Sequence, residues 1–367
     1  MILFNLPLEP IENRYSKQWD TFFNKYLDST FSNRGSFRFK TVYGLDSSSG
    51  AKNTVNFLDP FDTNIWKSTQ LAETLRLIRD EVVSTKEKNF GIFVHDLWYP
   101  GLEQLKYIEN ILGISIKIFG ILHAGTWDEN DQTYTSGMQK WSKNFEIGWL
   151  DIADEVFVAT TYHKNLITNY AVNSNLSSDK LKKLIEKISV TYLPVETSFG
   201  VFHTTKEKWI AFPHRLAKEK GSELLDYFKK EVRNRIGEDF ELKITHEETN
   251  SKVEFYELLS KCKYSVSLAD QETFGISMVE SLLLGCIPIV PDKLSYPELF
   301  LDVFRYKAAA GYVSSRAVDL ILFFEKLEKN YVSELISVNQ QNIEALCGAS
   351  IPLMMSKVIS SLTRTNK

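Results

Sequence analysis

Four residues in the second half of the chain have types and spacing that suit one task. Arg215 and Lys220 lie close together in HRLAKEK, and Glu272 and Glu280 bracket QETFGISMVE with seven residues between them. Arginine presents a fork of donors that matches phosphate oxygens, and lysine a compact charge. Cations already in place before reaction stabilise negative charge as it grows on a leaving phosphate. A carboxylate accepts hydrogen bonds from ligand hydroxyls. A helix start beside a glycine, here Gly275, offers backbone N–H groups to an anion. Read blandly, Arg215 and Lys220 are two surface cations, and the glutamates belong to a loop and an ordinary amphipathic helix. His95 and His123 close the apolar runs FGIFVH and ISIKIFGILH, where a histidine is as readily a structural hydrogen-bonding residue. No spacing of His, Cys, Asp or Glu suits a metal, so no metal ligands are expected.

Such groups need a sheet to hold them. Residues 264–268 form an apolar run of strand length. Residues 269–275 are polar and end in glycine. Residues 276–284 are apolar at helical spacing, with Ile276, Val279 and Leu283 on one face; Gly285 stops them, and 287–290 reads as the next buried strand. A strand–loop–helix–strand unit of this kind presents ligands at the carboxyl ends of its strands. The same alternation runs through the chain. Strands are expected at Ile2–Leu6, 90–95, 114–123, 154–160 and 190–195, then at 209–213, 240–245, 264–268 and 287–290. Helices are expected at 11–27, 68–83, 161–170, 174–187, 254–262, 276–284, 317–330 and 333–362, and 44–63 reads as a loop. Repeated strand–helix alternation argues parallel α/β sheets.

The segment ETFGISMVESLLLGCIPIV resembles the Glu-x7-Glu segment of family-4 retaining glycosyltransferases, which have the GT-B fold. FPHRLAKEKGSELLDYF is similar to that family's strand followed by Gly-Arg-Leu and Lys-Gly, with His214 standing where the family has glycine. IADEVFVATTYHKNLI resembles its strand after an Ala-Asp pair. The resemblance implies an α/β protein with two Rossmann-like parallel-sheet domains facing a cleft. They would be an acceptor domain over 1–196 and a nucleotide-sugar domain over 197–340, with a helical tail over 341–367 crossing back to the first. It implies transfer of a sugar from a nucleoside diphosphate donor, UDP-sugar foremost, to an acceptor hydroxyl, with retention and without metal or other cofactor. By this resemblance Arg215 and Lys220 face the diphosphate and Glu272 the transferred sugar. His214, Phe274, Gly275 and Ile276 line the donor, Glu280 meets the ribose, and His123 touches the donor sugar.

Acceptor-side candidates come from the first half: His95, Asp96, Trp98, Trp127 and Arg14. The loop LPLEPIENRYSKQW lacks the glycine-rich turn of many family-4 enzymes, and Glu9, Arg14 and Tyr15 stand in its place. Six of the seven tryptophans fall in this half, and an indole face stacks on a sugar ring or an extruded base. EPIENRYSKQW also resembles the start of some phage glycosyltransferases that modify DNA bases, which makes a hydroxymethylated pyrimidine in DNA one expected acceptor. Lys17, Lys25, Arg34, Arg38 and Lys40 would then meet phosphates. A glycan or small-molecule acceptor, a GT-B nucleotide-sugar epimerase and a non-catalytic GT-B binding protein are the alternatives.

At 367 residues the chain suits two domains, and 43% apolar with 25% charged residues is globular. The net charge of −4 gives no global pull toward nucleic acid or anionic lipid. Three cysteines without ligand spacing fit a reducing compartment. With no signal peptide and no unbroken apolar run of about 18 residues, a cytoplasmic protein without a membrane span or an obligate protein partner is expected.

Overall fold

Short β-rich apolar runs become strands, and the amphipathic stretches between them become the crossover helices. The computed structural model describes residues 1–31, 37–45, 59–199, 205–307, 313–328 and 333–364. Two compact units result: Met1–Pro194 with Ala349–Lys367, and Val195–Gly348.

The first unit holds a six-stranded sheet of β1 (Ile2–Leu6), β2 (Arg38–Thr41), β3 (Asn89–Val94), β4 (Ser115–Ile121), β5 (Glu155–Val158) and β6 (Ile188–Val190). The order is β2-β1-β3-β4-β5-β6, and every pair is parallel. β1 is buried along its whole length, as expected of a central parallel strand. The core packs Phe4, Ile92, Ile118 and Val156 against helix residues such as Leu105, Leu150 and Ile167.

The second unit holds β7 (Glu207–Phe212), β8 (Glu241–Ile244), β9 (Cys262–Val266), β10 (Ile287–Pro291) and β11 (Arg305–Tyr306). Their order is β11-β10-β9-β7-β8, again all parallel. Ile210, Phe212, Tyr264, Val266 and Ile289 form the core with Phe228 and Phe324.

Several expectations are corrected. The strand expected at 190–195 is Ile188–Val190: its partner β5 ends at Val158, and only Thr191 N–H continues the ladder, to Val158 O. The first helix is Tyr15–Phe31, because residues 9–14 fold into turns closed by Ile11 N–H on Glu9 O and Arg14 N–H on Ile11 O. The helix expected at 68–83 is Pro60–Ser84, started by Asp59, whose carboxylate accepts from Phe61 and Asp62 N–H; 46–58 of the expected loop lie outside the described residues. Helix Ile276–Leu283 buries Met278, Val279, Ser281 and Leu282, while Ile276 and Leu283 are only half-buried.

The last helix, Ser333–Thr363, belongs to both units. Asn339 bonds the backbone of Leu299 and Leu301 in the second, and Ser350 donates to Tyr192 O in the first. Among the described residues it is the one helix long and apolar enough, by length and composition, to cross a membrane. Scattered serines and glutamines interrupt its apolar run without lowering the average. Ile343, Ile351, Met354, Met355 and Val358 are buried within the protein.

Candidate functional site

The second unit brings Lys220 and the first glutamate together. β7 ends at Phe212 and the chain turns through His214 and Arg215 into short 3-10 turns, Lys218–Lys220 and Ser222–Leu224. Gly221 sits at φ +73°, and a Cβ there would lie 2.7 Å from Leu268 O. Only glycine allows this close approach of the loop to the carboxyl end of β9. The approach carries Lys220 inward, where its Nζ donates to Gln271 O (2.5 Å), Gln271 Oε1 (3.1 Å) and Glu272 Oε2 (3.1 Å). Lys220 is only 7% exposed, so the ammonium has exchanged water for these three oxygens. Burial opposes the Glu272 charge, but the Lys220 ammonium, together with the neighbouring His214 and the Phe274 N–H, holds the carboxyl below the usual carboxylate range.

Arg215 pairs with Glu219 one helical turn on. His214 is buried, its Nδ1 3.4 Å from Ser277 Oγ, and its Nε2 is without a hydrogen-bond partner among the described residues. Burial, reinforced by Lys220, pushes its pKa down to about 3, so the ring is neutral at ordinary pH. Gly275, at φ +86°, caps helix Ile276–Leu283 and leaves room for the Tyr296 ring, 3.1 Å from where a Cβ would stand. Phe274 is buried and its N–H leans toward Glu272 Oε1 at 3.4 Å. The leading N–H groups of the helix thus follow directly on the Lys220–Glu272 pair.

Glu280 is placed differently. It is 1% exposed and accepts from Lys252 Nζ (2.7 Å) and Tyr256 OH (2.8 Å). Its orientation is fixed from helix Lys252–Lys261.

In the first unit, Arg14, Tyr15, His95, Asp96 and His123 gather at the carboxyl ends of β1, β3 and β4. His123 Nε2 lies 2.8 Å from His95 O, and His95 Nε2 lies 2.8 Å from Asn5 Oδ1. The Tyr15 ring centroid is 6.0 Å from that of His123, and Arg14 lies 6.0 Å over Tyr15. Lys67 holds Asp96 at 2.7 Å and the Trp98 carbonyl at 2.6 Å. Burial lowers both histidines, His95 to about 3. The loop after β1, without glycine, is pinned from outside by Trp66 Nε1 and Gln70 Nε2 on Pro7 O.

Trp98 adjoins this group, its backbone N–H donating to Asp96 Oδ1 at 3.2 Å. Trp98 donates to Glu146 Oε1 (3.1 Å) and packs on Trp149. Trp127 is buried against Tyr170 and His163, which leaves it little open ring to stack on. Of the basic set for phosphates, Arg38 is paired with Glu81, Lys17 lies near Glu12, and Arg34 is outside the described residues.

Gln271, Ser277, Lys252, Tyr256, Lys67 and Glu146 were missed by sequence reasoning. Only Gln271 and Ser277 carried a signal, as neighbours of the motif; the others act across the fold. Among the described residues no cluster of three or more His, Cys, Asp or Glu suits a metal ion.

No family model matches the chain. Over 35 residues it is 51% identical to the tRNA-queuosine alpha-mannosyltransferase of Drosophila melanogaster, a stretch covering 10% of this chain and 9% of that protein. Sucrose-phosphate synthase from Thermosynechococcus elongatus matches its fold with a TM-score of 0.61 at 12% identity, over 99% of each chain. Anabaena HepE, solved with UDP and glucose, matches with a TM-score of 0.59 at 11% identity, also over 99% of each. TarM of S. aureus, solved as a mutant in complex with UDP, matches with a TM-score of 0.54 at 16% identity; the match covers 81% of this chain and 59% of TarM. With two all-parallel α/β sheets and this likeness, the chain has the GT-B fold of these glycosyltransferases.

Proposed function

We propose that the protein is a retaining glycosyltransferase that moves a sugar from a nucleoside diphosphate donor to an acceptor hydroxyl. The observation that carries this reading is the 3.1 Å approach of Lys220 Nζ to Glu272 Oε2 beside the start of helix Ile276–Leu283. One group suits a diphosphate, its neighbour suits sugar hydroxyls, and the helix start suits an anion. UDP is the first nucleotide to test, since TarM and HepE were each solved with it.

In this reading the bond from the sugar C1 to the diphosphate oxygen breaks, and that oxygen keeps the electron pair. Lys220 and Arg215 stabilise the charge it gains. The acceptor oxygen bonds C1 on the face the diphosphate leaves, and its proton passes to the leaving phosphate. Glu272, held ionised by Lys220, orients the sugar hydroxyls, and Glu280 faces the ribose. The positive charge comes from side chains, so activity is expected to survive EDTA.

For the acceptor we propose a hydroxyl on a modified base in nucleic acid, a hydroxymethylated pyrimidine in DNA among them. The short match to an enzyme named for a tRNA nucleoside supports this over a glycan. Thermal-shift titration with UDP, GDP and their sugars tests the donor half, because a ligand bound only by the native state raises its stability. Absence of any shift at millimolar nucleotide, or full turnover in Arg215→Ala, sinks the reading.

A further inference from the structure

The segment 132–145 has two lysines, Lys140 and Lys143, and no carboxylate. It also places two large aromatic rings in solvent: Trp141 is 53% and Phe145 57% exposed. Their centroids are 6.0 Å apart. Single exposed apolar side chains are ordinary, but adjacent exposed rings make a contiguous patch of the kind that marks interaction sites.

Their position gives them a use. Helix Lys143–Ile152 lies between β4 and β5 in the chain, so it begins at the carboxyl edge of the parallel sheet. His95, Asp96 and His123 stand at that same edge. A line of rings joins the two places: Phe145 to Trp149 at 6.4 Å, then Trp149 to Trp98 at 5.0 Å, in the loop that carries Asp96. Trp98 is fixed by Glu146 and by Lys67, so the inner end of the line is rigid. Lys143 is held too, by Asn173 O at 2.7 Å and over the Tyr170 ring. Lys140 is exposed at the outer end.

We propose that Trp141 and Phe145, with Lys140, form a stacking platform for an unpaired segment of nucleic acid whose modified base is the acceptor. This rests on the transferase reading above and names the partner for its acceptor side. Every base has a flat face that stacks on an aromatic ring, and lysines beside the ring take the backbone phosphates. A lipid surface fits less well. Helix Lys143–Ile152 exposes one ring and no band of aliphatic side chains, whereas interfacial helices bury an apolar stripe.

The test is fluorescence anisotropy with labelled 20-nucleotide single strands of DNA and of RNA, and with a duplex of the same length, at low salt. Single strands are expected to bind better than duplex. Trp141→Ala and Phe145→Ala should each weaken binding about ten-fold or more. Lys140→Ala should weaken it and flatten its salt dependence by about one charge. Each variant should keep the wild-type thermal shift with UDP, since none of the three residues is in the donor site. The proposal is overturned if no single strand binds, if binding is indifferent to the two rings, or if the rings matter only for cosedimentation with anionic vesicles or for self-association. Loss of oligonucleotide binding with UDP binding intact in the wild type would refute the platform and leave the transferase standing. Ring-dependent oligonucleotide binding without any nucleotide binding would do the reverse.

Discussion

Lys220 and Glu272 come from loops after two different strands, β7 and β9, and meet as a partly buried ion pair 3.1 Å apart. Gln271 holds the same ammonium through its backbone and its side chain. The cation is therefore oriented before any ligand arrives, which is the condition under which fixed charge lowers a barrier. Lys220→Met should reduce turnover by about two to three orders of magnitude with little change in overall fold. Steady-state kinetics with the donor found by thermal shift, alongside circular dichroism, checks this. A loss confined to the Michaelis constant would contradict it.

Glu280 is held in place by Lys252 and Tyr256. Removing the lysine leaves a nearly inaccessible carboxylate with one neutral donor. Lys252→Ala should cost about 2 kcal/mol of stability in urea melts, less than a fully buried pair because Lys252 is partly exposed. It should also weaken UDP binding measured by calorimetry. Tyr256→Phe should cost about 1.5 kcal/mol, one hydrogen bond to a charged group.

Three buried histidines set the acid limit of stability. His95, His163 and His214 are each lowered by burial from 6.5 to about 3. Between those values the unfolded chain binds protons that the folded chain does not. Stability should be full above about pH 6.5 and fall as the pH drops toward 3, by up to about 1.4 kcal/mol per pH unit for each ring. Urea midpoints at pH 7, 6, 5 and 4 measure the slope. His163→Phe, at a site where neither ring nitrogen has a partner among the described residues, should make it shallower.

Gly221→Ala tests the loop geometry. The new Cβ must occupy a left-handed backbone and a space 2.7 Å from a carbonyl oxygen, so the loop has to move. Stability should fall by at least about 1 kcal/mol, and nucleotide binding should weaken even where the variant remains folded. Gly113→Ala is a fit comparison: it is also left-handed, but nothing lies within 4 Å of the added carbon, and UDP binding should be unchanged.

The two-sheet plan was legible because buried parallel strands are short apolar runs closed by polar loops, as at Ile2–Leu6 and Ile287–Pro291. β2 escaped notice because RFKT lies at the sheet edge, where its side chains are exposed or half-buried, so no apolar run marks it. The helix start at Asp59-Pro60 could have been read: a capping aspartate followed by proline is a strong start signal. That HRLAKEK and QETFGISMVE serve one site is expected from the sequence, whereas the direct Lys220–Glu272 pair is supplied by the fold. The partners of Glu280 and Trp98 were not legible, since Lys252, Tyr256 and Glu146 are ordinary helix residues until the fold brings them into reach.

The closing helix has a bearing on how the protein can be dissected. Because the chain returns to its starting unit after Gly348, that unit is assembled from two separate lengths of polypeptide. A protease that nicks the chain just beyond Pro194 will not free a self-sufficient amino-terminal fragment: that fragment lacks the last helix's buried methionines, Met354 and Met355, and the Leu362 side chain that lies against Gly91. The segment from 195 to 348 is topologically an insert, and excising it with a short linker, rather than truncating the chain, is the route to a stable first unit.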